Sequence, residues 1–201
     1  MHNRPIILAS TSPFRKQILA KLNIPFTAQA PEVDETALID ETADALVERL
    51  AFLKAKAISD KHNQAIVIGS DQVAVVEGTI LGKPGNFENA KKQLQLLSGK
   101  TVTFLTGLSI QIKETNFVQT LVEPFNVCFR NLSEQEIEHY LKTEQPYNCA
   151  GSFKSEGLGI TLFEALSGKD PNTLIGLPLI SLNQILIQVG QNPLLNQVEN
   201  N

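Results

Sequence analysis

Residues 6–19, "IILASTSPFRKQIL", decide the fold class. Four apolar residues, 6–9, read as a buried strand. Three hydroxyl residues follow, then a helix over 13–22 with Ser12 as N-cap and Pro13 at its first position. A strand that runs straight into a helix opens an α/β unit. The turn also poses a chemical question. Arg15 and Lys16 stand in the first helical turn, where the macrodipole already supplies partial positive charge. One reading is an ordinary helix start with surface cations. The other is an anion site, since N–H groups at a strand–loop–helix turn cradle phosphate and an arginine fork can grip it. No GxxxxGK[ST] loop is present.

Working outward, strands and helices keep alternating. Residues 25–30 read as a second strand. Residues 40–59 have a helical period, with Ala43, Leu46, Val47, Leu50, Ala51 and Ile58 on one stripe. "AIVIGSD", 65–71, reads as a central strand ending in a carboxylate, and 73–76 with 79–81 as a small hairpin. A helix over 86–97 closes at Ser98-Gly99. Residues 101–112 and 117–130 are long strands around a polar turn. Ser133 and Glu136 form a capping box for a helix over 133–141. A glycine-rich loop, 150–159, short apolar pieces and a closing helix near 182–189 complete the core. The tail, 191–201, reads as weakly ordered. The pattern predicts an α/β fold with a mixed sheet, in one domain over 1–201.

Composition narrows the function. A hydrophobic content of 42% with 19% charged residues reads as a soluble globular protein. A net charge of −4, with two tyrosines and no tryptophan, argues against a nucleic-acid partner. No run of ~18 apolar residues marks a membrane span, and residues 1–5 show no signal-peptide core. Cys128 and Cys149 form no CxxC and read as reduced thiols. A cytoplasmic protein is the expectation.

Several polar residues stand where the fold alone does not ask for them. Lys54 falls on the stripe of Leu46, Val47, Leu50 and Ala51; its ammonium either snorkels to the surface or points into a cleft. Asp71 ends an apolar strand, the end where α/β sheets bind ligands; the alternative is a turn-starting aspartate. "PEVDE", 31–35, is either a solvated acidic loop or the source of a carboxylate for a divalent metal. Lys83 in "LGKPGN" and Lys154 and Glu156 in "CAGSFKSEGLG" lie on loops open to either reading. Carboxylates for a metal and cations for a polyphosphate are together the parts that phosphoryl transfer needs.

"LASTSPFRKQIL", "EVDE", "LAFLKAKA", "IGSDQVAVVEGTILGKPG" and "AGSFKSEGLG", in that order, resemble the Maf family of nucleotide pyrophosphatases, some of whose members are named septum formation inhibitors. The likeness covers residues 7–190. It implies an elongated Maf/ITPase-like architecture: a mixed twisted sheet flanked by helices, two lobes around a central cleft, and a homodimer. It also implies hydrolysis of a nucleoside triphosphate to the monophosphate and pyrophosphate with a divalent cation, Mg²⁺ or Mn²⁺. The family's SPRR segment falls on Ser12 to Arg15, with Phe14 replacing the first arginine. Its acidic motif falls on Asp34-Glu35, its helix lysine on Lys54, its KP lysine on Lys83 and its catalytic aspartate on Asp71. Phe14, Gln72 and Glu156 are similar to the family's 7-methyl-GTP branch, the YceF-like proteins.

On that resemblance Ser10, Ser12, Arg15, Lys54 and Lys83 hold the triphosphate. Glu35 and Asp71 position the metal, and Asp71 either accepts a proton from the attacking water or holds a metal-bound water that attacks. Phe14 stacks on the cationic methylguanine. A buried Glu156 accepts from its N1–H and amine, and Gln72 helps set the base. The rival readings are the same reaction on dTTP, UTP or another modified nucleotide, and a non-catalytic nucleotide-binding regulator of septum formation.

Overall fold

The four residues 6–9 are buried along their whole length, so helices must cover both faces of the strand they form. The structure, a computed structural model, describes residues 4–195. In chain order the elements are β1 (Ile6–Ala9), α1 (Pro13–Ala20), β2 (Thr27–Gln29), α2 (Ala43–Ser59), β3 (Ile66–Val76), β4 (Thr79–Leu81), α3 (Phe87–Leu97), β5 (Thr101–Ile112), β6 (Phe117–Phe129), α4 (Glu134–Glu144), β7 (Phe163–Gly168), α5 (Pro171–Ile175) and α6 (Leu179–Gln188). Seven strands form one mixed sheet in the order β2-β1-β3-β5-β6-β7, with β4 on β3. This is the α/β class that residues 6–19 predict. No helix among the described residues is long and apolar enough to cross a membrane.

The chain divides into two compact units. One holds the residues up to Gln72, Thr106–Glu123 and those from Asp170 onward. In it β1 pairs in parallel with β2 and with β3, Ile7 standing opposite Thr27 and Val67. Alternation along the strand then builds two cores. Ile6 and Leu8 join Ile66, Ile68, Leu182 and Leu186 on one face, while Ile7 and Ala9 join Ala55, Ile58 and Val67 on the other. The second core includes three alanines, Ala9, Ala55 and Ala65, and α2 lies against the sheet backbone. A Cβ at Gly69 would overlap the Ala51 carbonyl oxygen, and one at Gly107 the Val47 carbonyl oxygen.

The other unit holds Val73–Leu105 and Pro124–Lys169. The end of β3 makes an antiparallel hairpin with β4, Ala74 opposite Leu81. The end of β6 pairs antiparallel with β7, Asn126 opposite Ser167. Phe104, Phe129, Phe153 and Phe163 meet edge to face, with ring centroids 4.8 to 5.5 Å apart. Asn86 caps α3 through the Asn89 N–H, and the capping box of Ser133 and Glu136 is formed at α4.

The structure departs from the sequence reading at several places. The first helix ends at Ala20 rather than at residue 22, and α2 starts after its N-cap Thr42 rather than at residue 40. Residues 65–71 and 73–76 are one strand, because Asp71 and Gln72 have side-chain partners and no turn is needed there. Two elements were not predicted. β7 is exposed along five of its six residues, so it shows no apolar alternation. α5 is a five-residue helix, too short for a period. In the tail, Gln191 is buried and its N–H donates to the Leu186 carbonyl; residues 196–201 lie outside the described residues.

Candidate active site

In the first unit, α2 puts Lys54 where its apolar stripe predicts. The side chain does not snorkel: Lys54 is 5% exposed, and its ammonium donates to Asp71 Oδ1 at 2.7 Å and pairs with Glu35 Oε1 at 2.9 Å. Asp71 is itself buried, in β3, next to a fully buried Ser70. Glu35 is exposed. Its loop is tied to α2 by Arg49, which holds Glu41 through both carboxylate oxygens and donates to the Thr36 carbonyl. That bond to Arg49 is the main reason the Glu41 carboxyl titrates at about 2.

Arg15 joins this cluster from α1. Ser12 accepts from the Arg15 N–H as the N-cap, and Ser10 Oγ accepts from the Ser12 N–H. Arg15 Nε donates to the Gly176 carbonyl at 2.8 Å, while its Nη1 and Nη2 carry no hydrogen bond among the described residues. Burial pulls the Arg15 guanidinium below its ordinary value, and the Asp71 and Glu35 carboxylates push it back up. Two cations and two carboxylates are thus assembled at the C-terminal side of the parallel strands, with one guanidinium edge open.

Gly176 is a residue that sequence reasoning missed. Its carbonyl also accepts from Ser70 Oγ at 2.9 Å, so it locks Arg15 to β3. Its φ of +116° lies in a region open to glycine, and it ends α5. The signal was present in "DPNTLIG": an aspartate N-cap, a proline at N1 and a closing glycine.

Gln72 turns away from a free ligand edge. Its amide N–H groups meet Thr106 Oγ1 and the carbonyls of Thr173 and Leu174, clamping α5. Phe14 is half-buried in α1.

Lys83 and Glu156 belong to the second unit. Lys83 is exposed between Gly82 and Pro84 and makes no hydrogen bond or ion pair among the described residues. Glu156 is exposed, not buried as expected; its carboxylate accepts from Ser155 Oγ at 3.1 Å. The loop tip around it has too little packing to bury a charge. Burial raises the Cys149 thiol, with Lys154, Glu156, Lys83 and Glu144 acting on it in alternating sign. Cys149 is a free, half-buried thiol at the start of the 150–159 loop.

A Maf-like protein family model matches residues 5–189. A 7-methyl-GTP pyrophosphatase of Colwellia psychrerythraea (strain 34H) is 58% identical over 194 residues, 96% of this chain and 97% of that protein. One of Pseudoalteromonas translucida (strain TAC 125) is 57% identical over 186 residues, 92% of each. Among solved structures, the Ham1 protein of Staphylococcus aureus aligns over 93% of this chain and all of its own, at 16% identity and a TM-score of 0.52. A HAM1 protein from Coxiella burnetii aligns over 93% of this chain and 98% of its own, at 14% identity and 0.53. The last two are likenesses of fold. The family model and the two sequence relatives each span nearly the whole of residues 5–189, and the chain belongs to the Maf family.

Proposed function

We propose that this protein is a nucleoside triphosphate pyrophosphatase that converts 7-methyl-GTP and water into 7-methyl-GMP and pyrophosphate. The observation that carries this reading is the buried Lys54–Asp71 pair, with Glu35 on the same ammonium and the open Arg15 fork beside it. The names of the two sequence relatives support the choice of base. A homodimeric assembly, on family resemblance, and the cytoplasm and absence of a nucleic-acid partner, on composition and charge, are part of the same proposal.

Arg15, Lys54 and the N–H groups around Ser10 and Ser12 bind phosphate oxygens; the family resemblance alone assigns Lys83 to the phosphates as well. Asp71, oriented by Lys54, accepts a proton from water as the water oxygen bonds to the α-phosphorus. The bond from that phosphorus to its bridging oxygen breaks, and pyrophosphate leaves with the electron pair. Glu35 and Asp71 also suit a divalent cation. Asp71 Oδ2 and Glu35 Oε2 carry no hydrogen bond among the described residues, and Mg²⁺ needs only one or two carboxylates beside substrate phosphates. The described residues hold no group of three acidic, His or Cys ligands; a divalent cation on Glu35 and Asp71 would draw its other ligands from the triphosphate and water. When bound, Mg²⁺ or Mn²⁺ neutralises charge on the phosphates.

Phe14 stacks on the methylguanine, whose positive charge adds cation–π attraction. Glu156 accepts from N1–H and the amine. Because Glu156 is exposed, it discriminates by charge-assisted attraction rather than by the cost of a buried, unpaired carboxylate. Gln72 acts on the base through the α5 segment that it holds.

The test is pyrophosphate release from 7-methyl-GTP, GTP, dTTP and UTP, with Mg²⁺, Mn²⁺ or a chelator. Preference for 7-methyl-GTP, lost in Asp71→Ala, is the expected result. Preference for a pyrimidine nucleotide keeps the enzyme and removes the roles of Phe14 and Glu156. No turnover on any of them, in a folded sample, overturns the enzyme reading and moves that of a nucleotide-binding regulator to the front.

A further inference from the structure

The second unit carries two loops that the proposed reaction uses, and one side chain joins them. The first loop presents Lys83. The carbonyls on either side of that lysine are both tied to α3: Gly82 O accepts from Gln93 Nε2 at 2.9 Å, and Pro84 O from Asn89 Nδ2 at 3.0 Å. The second loop presents Glu156. It is rooted by Phe153 in the aromatic cluster, by Tyr140 Oη on the Lys154 N–H, and by Glu144 on the Leu158 N–H. Gln93 reaches this loop as well, since Ser152 Oγ donates to its Oε1 at 2.5 Å.

A primary amide has a donor end and an acceptor end. The Gly82 carbonyl takes the donor end of Gln93, and the Ser152 hydroxyl takes the acceptor end, so the side chain has one satisfied orientation. Ser152 strengthens the point. It is fully buried with φ of +61°, a region where glycine would be unstrained. What serine has there that glycine lacks is the hydroxyl, and that hydroxyl is on Gln93. Both loop tips also act electrostatically on one thiol, Cys149.

We infer that Gln93 is a positioning residue that fixes the Lys83 loop and the Glu156 loop to one another, so that phosphate grip and base discrimination are set together. The functional half of this inference rests on the proposed activity; the structural half does not.

The structural half is tested by hydrogen–deuterium exchange on the full chain without nucleotide. Gln93→Leu removes both bonds and speeds exchange in 82–85 and in 150–158. Ser152→Ala removes one bond and speeds exchange in 150–158 alone. If Gln93→Leu leaves either segment unchanged while the rest of the protein keeps its protection, the linkage is overturned. The functional half is tested by kcat and KM for 7-methyl-GTP and GTP. Lys83→Ala and Glu156→Gln, combined in the parent, are non-additive by about threefold or more; in the Gln93→Leu background they become additive, and discrimination between the two nucleotides falls about tenfold. Equal coupling in both backgrounds overturns the inference. A parent protein that turns over neither nucleotide overturns the proposed activity instead, and the exchange result still decides whether Gln93 joins the loops.

Discussion

In the first unit Lys54 and Asp71 are buried and already paired; in the second Lys83 and Glu156 stand on exposed loops. Lys54 and Asp71 sit within a helix and a strand, in contact at 2.7 Å. Lys83 and Glu156 sit on loops; among the described residues Lys83 makes no hydrogen bond and Glu156 accepts one, from Ser155 Oγ. The difference teaches which part of the chemistry the core defines. Groups that act on a reacting bond need fixed geometry, which regular elements supply. Groups that select a nucleotide can ride on loops, which change without disturbing a core.

Asp71→Ala is the sharpest way to break the comparison. It is expected to lower kcat by ~100-fold or more, the scale of one acid–base group, with the far-ultraviolet circular dichroism unchanged. Lys54→Met comes next and reports on stability as well as rate. It leaves Asp71 buried without its cation, so urea unfolding should show a loss of about 3 kcal/mol. Adding Asp71→Asn should recover part of that loss, because the orphaned charge is gone. Base selection should respond differently. Phe14→Arg with Glu156→Gln is expected to move kcat/KM about tenfold from 7-methyl-GTP towards pyrimidine nucleotides. Because Glu156 is exposed, its part of the change should alter stability by less than about 0.5 kcal/mol. The smallest effect belongs to the α4 cap. The Ser133 backbone N–H first, then its hydroxyl and Arg130, hold the Glu136 carboxyl at about 2 rather than 4.5. A carboxyl lowered on folding stabilises fully above pH 4.5 and loses that contribution as pH falls towards 2. Glu136→Gln should flatten the dependence of Tm on pH in that window.

Legibility in the sequence followed the same division. The α/β class was readable because β1 and the start of β3, residues 66–68, are apolar runs and α2 carries a strong period. Lys54 was readable as an anomaly on that period, although the choice between snorkelling and burial needed Asp71 and Glu35 in place. Arg49 and Glu41 gave no signal, since an eight-residue separation marks no local motif. Gly176 had its cap signature but nothing to connect it with Arg15, 161 residues away in the chain. The burial expected of Glu156 failed because loop exposure depends on packing that no periodicity reports. β7 escaped for a related reason: an edge strand with one buried side too few has no alternation to read.

The bare backbones at Gly69 and Gly107 have a mechanical consequence. A helix is stiff, and α2 is bedded on the sheet at Ala51 and Val47, one turn or two before Lys54. Alanine at either glycine would act as a shim beneath that beam. A lift of one methyl thickness would be carried along to the ammonium and open its contact with Asp71. Two absent methyl groups therefore set the tolerance to which the charged pair is machined.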